Sequence, residues 1–127
     1  MKEMADFIRR CEEEGELLRI KKEVDWNLEL GHVAKLSEER KGPALLFENV
    51  KDFDIPVLTS AFTTTRRFAI TLDMPLESSI CDMARHWMQL TTKKPVKQKI
   101  VDSGPVREMV IEGDDVNIEA LPAPFFN

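Results

Sequence analysis

Two histidines, two cysteines, an adjacent arginine pair and two acidic runs are the side chains of this 127-residue chain whose chemistry could serve a site. A metal centre needs His, Cys, Asp or Glu donors that converge, often at i+3 or i+4 on a helix. The carboxylates near His32 read as surface charge, so His32 is expected to be exposed and neither a ligand nor a base. A nucleophilic thiol needs a base within reach. Cys81 and His86 are five residues apart and so fall on different faces of a helix, while Cys11 sits on an apolar stripe and reads as a small core residue. Asp114-Asp115 and Glu12-Glu13-Glu14, extended by Glu16, are neighbours along the chain. Acid–base work needs facing carboxyls whose surroundings split their pKa values. A solvated turn and a solvated face are therefore expected, not a divalent-metal site. Arg66 and Arg67 fall in the first turn of a predicted helix, where cations oppose the dipole. A bound phosphate would reconcile them with it. No Gly-rich loop accompanies them, so solvated arginines or ion pairs to nearby carboxylates are expected. P-loop, GxGxxG, HExxH and GxSxG motifs are absent. No catalytic, cofactor-binding or metal-ligating residue is predicted.

The elements that must position these groups follow from periodicity. Met4, Phe7, Ile8 and Cys11 share a helical face and predict a helix over residues 4–14, with Gly15 as its C-cap. Residues 17–23 read as a strand. Asp25 or Asn27 is placed to cap a second helix over 28–40, with Leu30, Val33, Ala34 and Ser37 as its inner stripe. Gly42-Pro43 stops it. Strands are expected at 44–47 and 55–58, with Phe53 packed in the turn between them. Pro56 lacks an amide hydrogen, which makes the second strand an edge or irregular one. Thr64 or Thr65 caps a short helix with Phe68, Ala69 and Leu72 inward. Pro75 opens the strongest helix, 76–90. Its broad face of Ile80, Met83, Ala84, Trp87 and Met88 is expected to be core and not a cofactor contact.

Past Pro95 the pattern changes. Ile100-Val101 and residues 106–111 predict a hairpin around Ser103-Gly104-Pro105. Asp114 or Asp115 caps a turn through Glu119, and the prolines of 121–126 favour an extended connector. The expected class is α/β (α+β): about four helices on a small mixed sheet. One domain is expected at 1–94, with the hairpin and connector at 95–127.

The net charge of −5, from 18 basic and 23 acidic residues, argues against a general nucleic-acid binder. The basic run from Lys93 to Lys99 has no aromatic residue to stack on bases and reads as a solvated connector. Charges throughout the N-terminus predict neither a secretory signal nor a membrane span. Two separate cysteines without a CxxC motif point to a reduced, cytoplasmic setting.

Residues 42–57, a Gly-Pro turn leading into Ala44-Leu45-Leu46-Phe47 and on through Glu48-Asn49 to Ile55-Pro56-Val57, carry a resemblance to a known family. The ordered set around them strengthens it: Ala5-Asp6-Phe7-Ile8-Arg9-Arg10, Gly15-Glu16-Leu17-Leu18-Arg19-Ile20, Glu23-Val24-Asp25, Thr65-Arg66-Arg67-Phe68-Ala69 and Leu121-Pro122-Ala123-Pro124. Together they resemble the N-terminal region of UbiD-type decarboxylases, of the 3-polyprenyl-4-hydroxybenzoate carboxy-lyase kind, over nearly the whole chain. The resemblance implies an enzyme that adds or removes a carboxyl group on aromatic or α,β-unsaturated acids. It implies prenylated FMN, Mn²⁺ and a monovalent cation, all held by a following domain that would begin near Asn127. The carbanion left by decarboxylation at an sp² carbon explains the need for that cofactor. None of the family's catalytic motifs has a counterpart here, so this chain is expected to be silent alone and to bind no cofactor. Its expected role is structural, packing beside the flavin domain with Phe125 and Phe126 exposed for that contact. A homo-oligomer is a further expectation. The alternative is a separate, non-catalytic small subunit of a multi-subunit carboxylase that binds a flavin-containing partner.

Overall fold

The computed structural model describes residues 3–104 and 107–126. Among them are four α-helices and a three-stranded mixed sheet, which matches the expected class. Helix α1 spans Met4–Glu13 and ends as its glycine predicted. Gly15 adopts φ +70°, its amide donates to the Glu12 carbonyl, and the Glu16 amide donates to the Cys11 carbonyl. That is the Schellman pattern, and it sends the chain back as strand β1, Leu17–Ile20.

Strand β2, Ala44–Phe47, is buried along its whole length and occupies the centre of the sheet. It pairs in parallel with β1, Leu17 opposite Ala44, and antiparallel with β3, Val57–Thr59, Phe47 opposite Val57. Pairing at the second edge begins just after Pro56, and β3 is an edge strand as expected. Strand β1 is shorter than predicted. The charged Lys21-Lys22-Glu23 leaves the ladder, and the chain returns only for a Val24–Val50 bridge.

The core has two sides. Leu45 and Phe47 point to one face of the sheet, where Leu30 of helix α2 (Glu29–Glu39), Val24 and Val50 meet them. Phe53 packs here from the turn, with its ring edge-on to Trp26 at 6.3 Å. On the other face Phe7 and Cys11 of α1 meet Ile70 of helix α3 (Thr65–Thr71), against Leu17 and Leu58. Met4 is exposed, so the α1 stripe is narrower than predicted.

Four further expectations are corrected. Neither Asp25 nor Asn27 caps α2 with its side chain; the Asp25 carboxylate accepts from the Asn27 amide, and Leu28 precedes the helix with φ +69°. The buried stripe of α2 is Leu30, Gly31 and Ala34, while Val33 faces outward. Pro75 opens a turn closed by the Ser78 amide, and helix α4 starts later, at Ile80–Thr91. Ser79 is the reason: its hydroxyl accepts from the Asp82 amide and donates to the Asp82 carboxylate, a reciprocal cap. Finally, no strand forms at Ile100-Val101 or over 107–111, whose side chains are exposed; Pro105 and Val106 of that expected hairpin lie outside the described residues. Further along, Gly113–Asp115 and Ile118–Ala120 each form a single-turn 3₁₀ helix.

Candidate functional site

Thr64 caps α3 as predicted, its hydroxyl accepting from the Arg67 amide. That cap aims the Arg67 side chain inward, where it is completely buried. A lone buried guanidinium would be prohibitively costly, so its donors must be matched. Nη1 donates to Glu16 Oε2 and to the Gly42 carbonyl, each at 3.0 Å. Nε donates to the Ser60 carbonyl at 3.1 Å, and Nη2 to Thr63 Oγ1 at 2.5 Å. The other Glu16 oxygen accepts from Arg66 Nε at 2.6 Å, and Arg66 also reaches Glu77 at 2.5 Å. Arg66 is held above its ordinary pKa, chiefly by the Glu16 hydrogen bond.

Ion pairing was one of the two outcomes expected for these arginines; full burial of Arg67 was not. The signal in the sequence was the conflict with the α3 dipole. It is answered by Glu16, placed there by the Gly15 turn. Glu16 is thus an internal partner and not part of a solvated acidic face. Glu12, Glu13 and Glu14 stay exposed, with Glu12 paired to Arg19 and Glu13 to Arg9 at 2.9 Å.

Above this network lies an open groove of about 520 Å³ between the start of α3 and the face of α4. Phe62, Thr63 and Phe68 line one side, and Ile80, Ala84, Trp87 and Met88 the other, with Met83 beneath. This corrects the expected role of α4. Only Met83 of its broad apolar face is buried, against Ala69 and Leu72; Ile80, Trp87 and Met88 are 69%, 54% and 66% exposed. Helix α3 has seven residues and covers too little of α4 to bury the remainder. Thr63 belongs to both features, so Arg67 holds the groove's wall from below.

No titratable side chain lines the groove, so it can bind but cannot move a proton. The other candidates are dispersed. His32 is exposed, and His86 is half-buried on α4. Cys81 is an exposed free thiol. Cys11 is buried, and burial pushes its thiol up to about 11, the opposite of what a nucleophile needs. Asp114 and Asp115 are exposed. Among the described residues no three His, Cys, Asp or Glu side chains come together for a metal ion. The donor set does not fit a flavin phosphate either: buried Arg67 is committed to protein acceptors, and Arg66 to two carboxylates.

Residues 8–87 match the family described as the 3-octaprenyl-4-hydroxybenzoate carboxy-lyase N-terminal domain. The chain is also similar to the vanillic acid decarboxylase of Sedimentibacter hydroxybenzoicus in its closed form, with TM-score 0.83 and 25% identity, over 93% of this chain and 25% of that one. An evolved dimeric form of the UbiD-class enzyme HmfF from Pelotomaculum thermopropionicum, in complex with prFMN, matches with TM-score 0.78 and 26% identity, over 97% and 28%. HmfF in complex with FMN matches with TM-score 0.75 and 27% identity, over 97% and 26%. The chain therefore spans about a quarter of the length of these structures.

Proposed function

The chain belongs to the 3-octaprenyl-4-hydroxybenzoate carboxy-lyase N-terminal domain family, the N-terminal domain of UbiD-class decarboxylases, and on that premise we propose that it is a support and assembly domain. It docks a flavin-bearing partner through the α3–α4 groove and leaves the chemistry to that partner. The observation that carries this is the groove itself: a broad apolar surface, exposed, with no titratable group in it. An apolar patch of this kind marks a surface built to be covered. Val96 and Ile100, 94% and 95% exposed, extend the uncovered apolar surface past α4.

On this proposal the partner binds prenylated FMN with Mn²⁺ and a monovalent cation. The whole assembly adds or removes carboxyl groups on aromatic or α,β-unsaturated acids. Residues 1–94 form the docking domain and 95–127 the connector. The flavin-bearing part is joined in the same chain or, in the second version, is a separate subunit; the similarity to a quarter of each relative accommodates both. A homo-oligomer built around the covered faces and a cytoplasmic setting complete the proposal; the free thiols Cys11 and Cys81 fit a reducing compartment. No helix among the described residues is long and apolar enough to cross a membrane.

The test is carbon dioxide release by the purified chain, supplied with prenylated FMN, Mn²⁺ and a panel of aromatic and cinnamic-type acids. No release above the protein-free control is expected. Turnover by this chain alone would overturn the proposal.

A further inference from the structure

The segment before α2 contains a strained residue whose strain has a visible counterpart. Leu28 has φ +69° and ψ −44°, and the Glu29 amide donates across it to the Asn27 carbonyl at 2.9 Å. This is a γ-turn of the positive-φ kind, a conformation that a leucine adopts only when its surroundings enforce it. The enforcing groups come from the far end of the chain. The Phe125 amide donates to the Trp26 carbonyl at 3.1 Å, and the Leu28 amide donates to the Phe125 carbonyl at 3.2 Å, forming a parallel bridge between Asn27 and Phe125. One turn into α2, Gly31 leaves a notch that the next aromatic ring fills. A Cβ at Gly31 would lie 2.8 Å from Phe126 Cδ1 and 3.2 Å from the Phe125 carbonyl. No alanine fits there without moving the tail.

We propose that the turn at residues 26–28 and the Gly31 notch form a socket for Phe125-Phe126, so that the end of the connector is a strap fastened to α2. Two backbone hydrogen bonds set its register, and the glycine sets how closely it lies. The strap fixes the direction in which the connector runs across the domain. That consequence bears on partner placement only if the docking function above is right; the socket itself stands on the contacts within this chain. Phe125 and Phe126 are then internal fasteners as well as exposed surface, since each keeps more than half of its area open.

Amide hydrogen exchange on the full chain tests the strap without any partner. In the native chain the Phe125 and Leu28 amides are expected to exchange more slowly than amides of 96–102. Gly31→Val should speed both by about tenfold or more while leaving the Leu46 amide in β2 unchanged. Phe126→Ala, which removes the ring and leaves α2 intact, should do the same to a smaller degree. Unchanged protection of Phe125 and Leu28 in both variants would overturn the strap. So would native exchange at these amides as fast as in 96–102. Failure of the docking function would leave all of these results as they are.

Discussion

Replacing Arg67 with alanine is expected to cost about 3–5 kcal/mol of folding stability, the range for removing one partner of a buried ion pair. The substitution strips the Gly42 and Ser60 carbonyls and the Thr63 hydroxyl of their shared donor, and leaves Glu16 with Arg66 alone. It also opens a void where a completely buried side chain had been. The four acceptors come from the α1–β1 turn, the α2–β2 turn and the β3–α3 loop, so the loss falls on segments far apart in the chain. Arg67→Lys keeps the charge but not the planar fork. One ammonium cannot reach acceptors on three sides, and a cost of about 2 kcal/mol is expected. Urea unfolding at neutral pH measures both, as a lowered midpoint at constant slope. A loss below about 1 kcal/mol for Arg67→Ala would mean that the network is not what ties these segments together.

Trp87→Glu should separate folding from assembly. The indole is 54% exposed on the groove wall and belongs to none of the buried clusters, so the chain's own stability should change by no more than about 0.5 kcal/mol. Binding to the flavin-bearing partner should weaken by about 100-fold. A buried aromatic anchor is commonly worth 2 kcal/mol or more at an interface, and a carboxylate facing an apolar partner surface adds a desolvation cost. Calorimetric titration of the two polypeptides reads the affinity, and urea unfolding reads the stability. Unchanged affinity would remove the groove from the interface; a large drop in stability would make Trp87 a core residue after all.

The contrast between α1 and α4 shows what the sequence could and could not convey. For α1, the apolar spacing and Gly15 predicted both the helix and its ending, because a left-handed C-cap is a local demand of the backbone. The strands at Ala44–Phe47 and Val57–Thr59 were legible for the same reason: an unbroken apolar run reads as a central strand, and a proline as an edge. The apolar face of α4 was equally visible, but a periodic stripe says only that a face is to be covered, not by what. The burial of Arg67 needed three segments brought together by the fold, and only the dipole conflict hinted at it. Of the expected hairpin, the described residues 107–111 stay exposed and unpaired, because an apolar run such as Met109-Val110-Ile111 becomes a strand only when the fold brings a partner to it. The tail's contact with Gly31 lies 95 residues away in sequence from its partner Phe126, beyond any local pattern.

The most direct test of the docking account compares hydrogen exchange across this chain, free and joined to the flavin-bearing polypeptide. The account predicts new protection over residues 62–68 and 80–88, the two walls of the groove, with the sheet unchanged. Protection confined to other surfaces, with the groove walls exchanging as in the free chain, would contradict it.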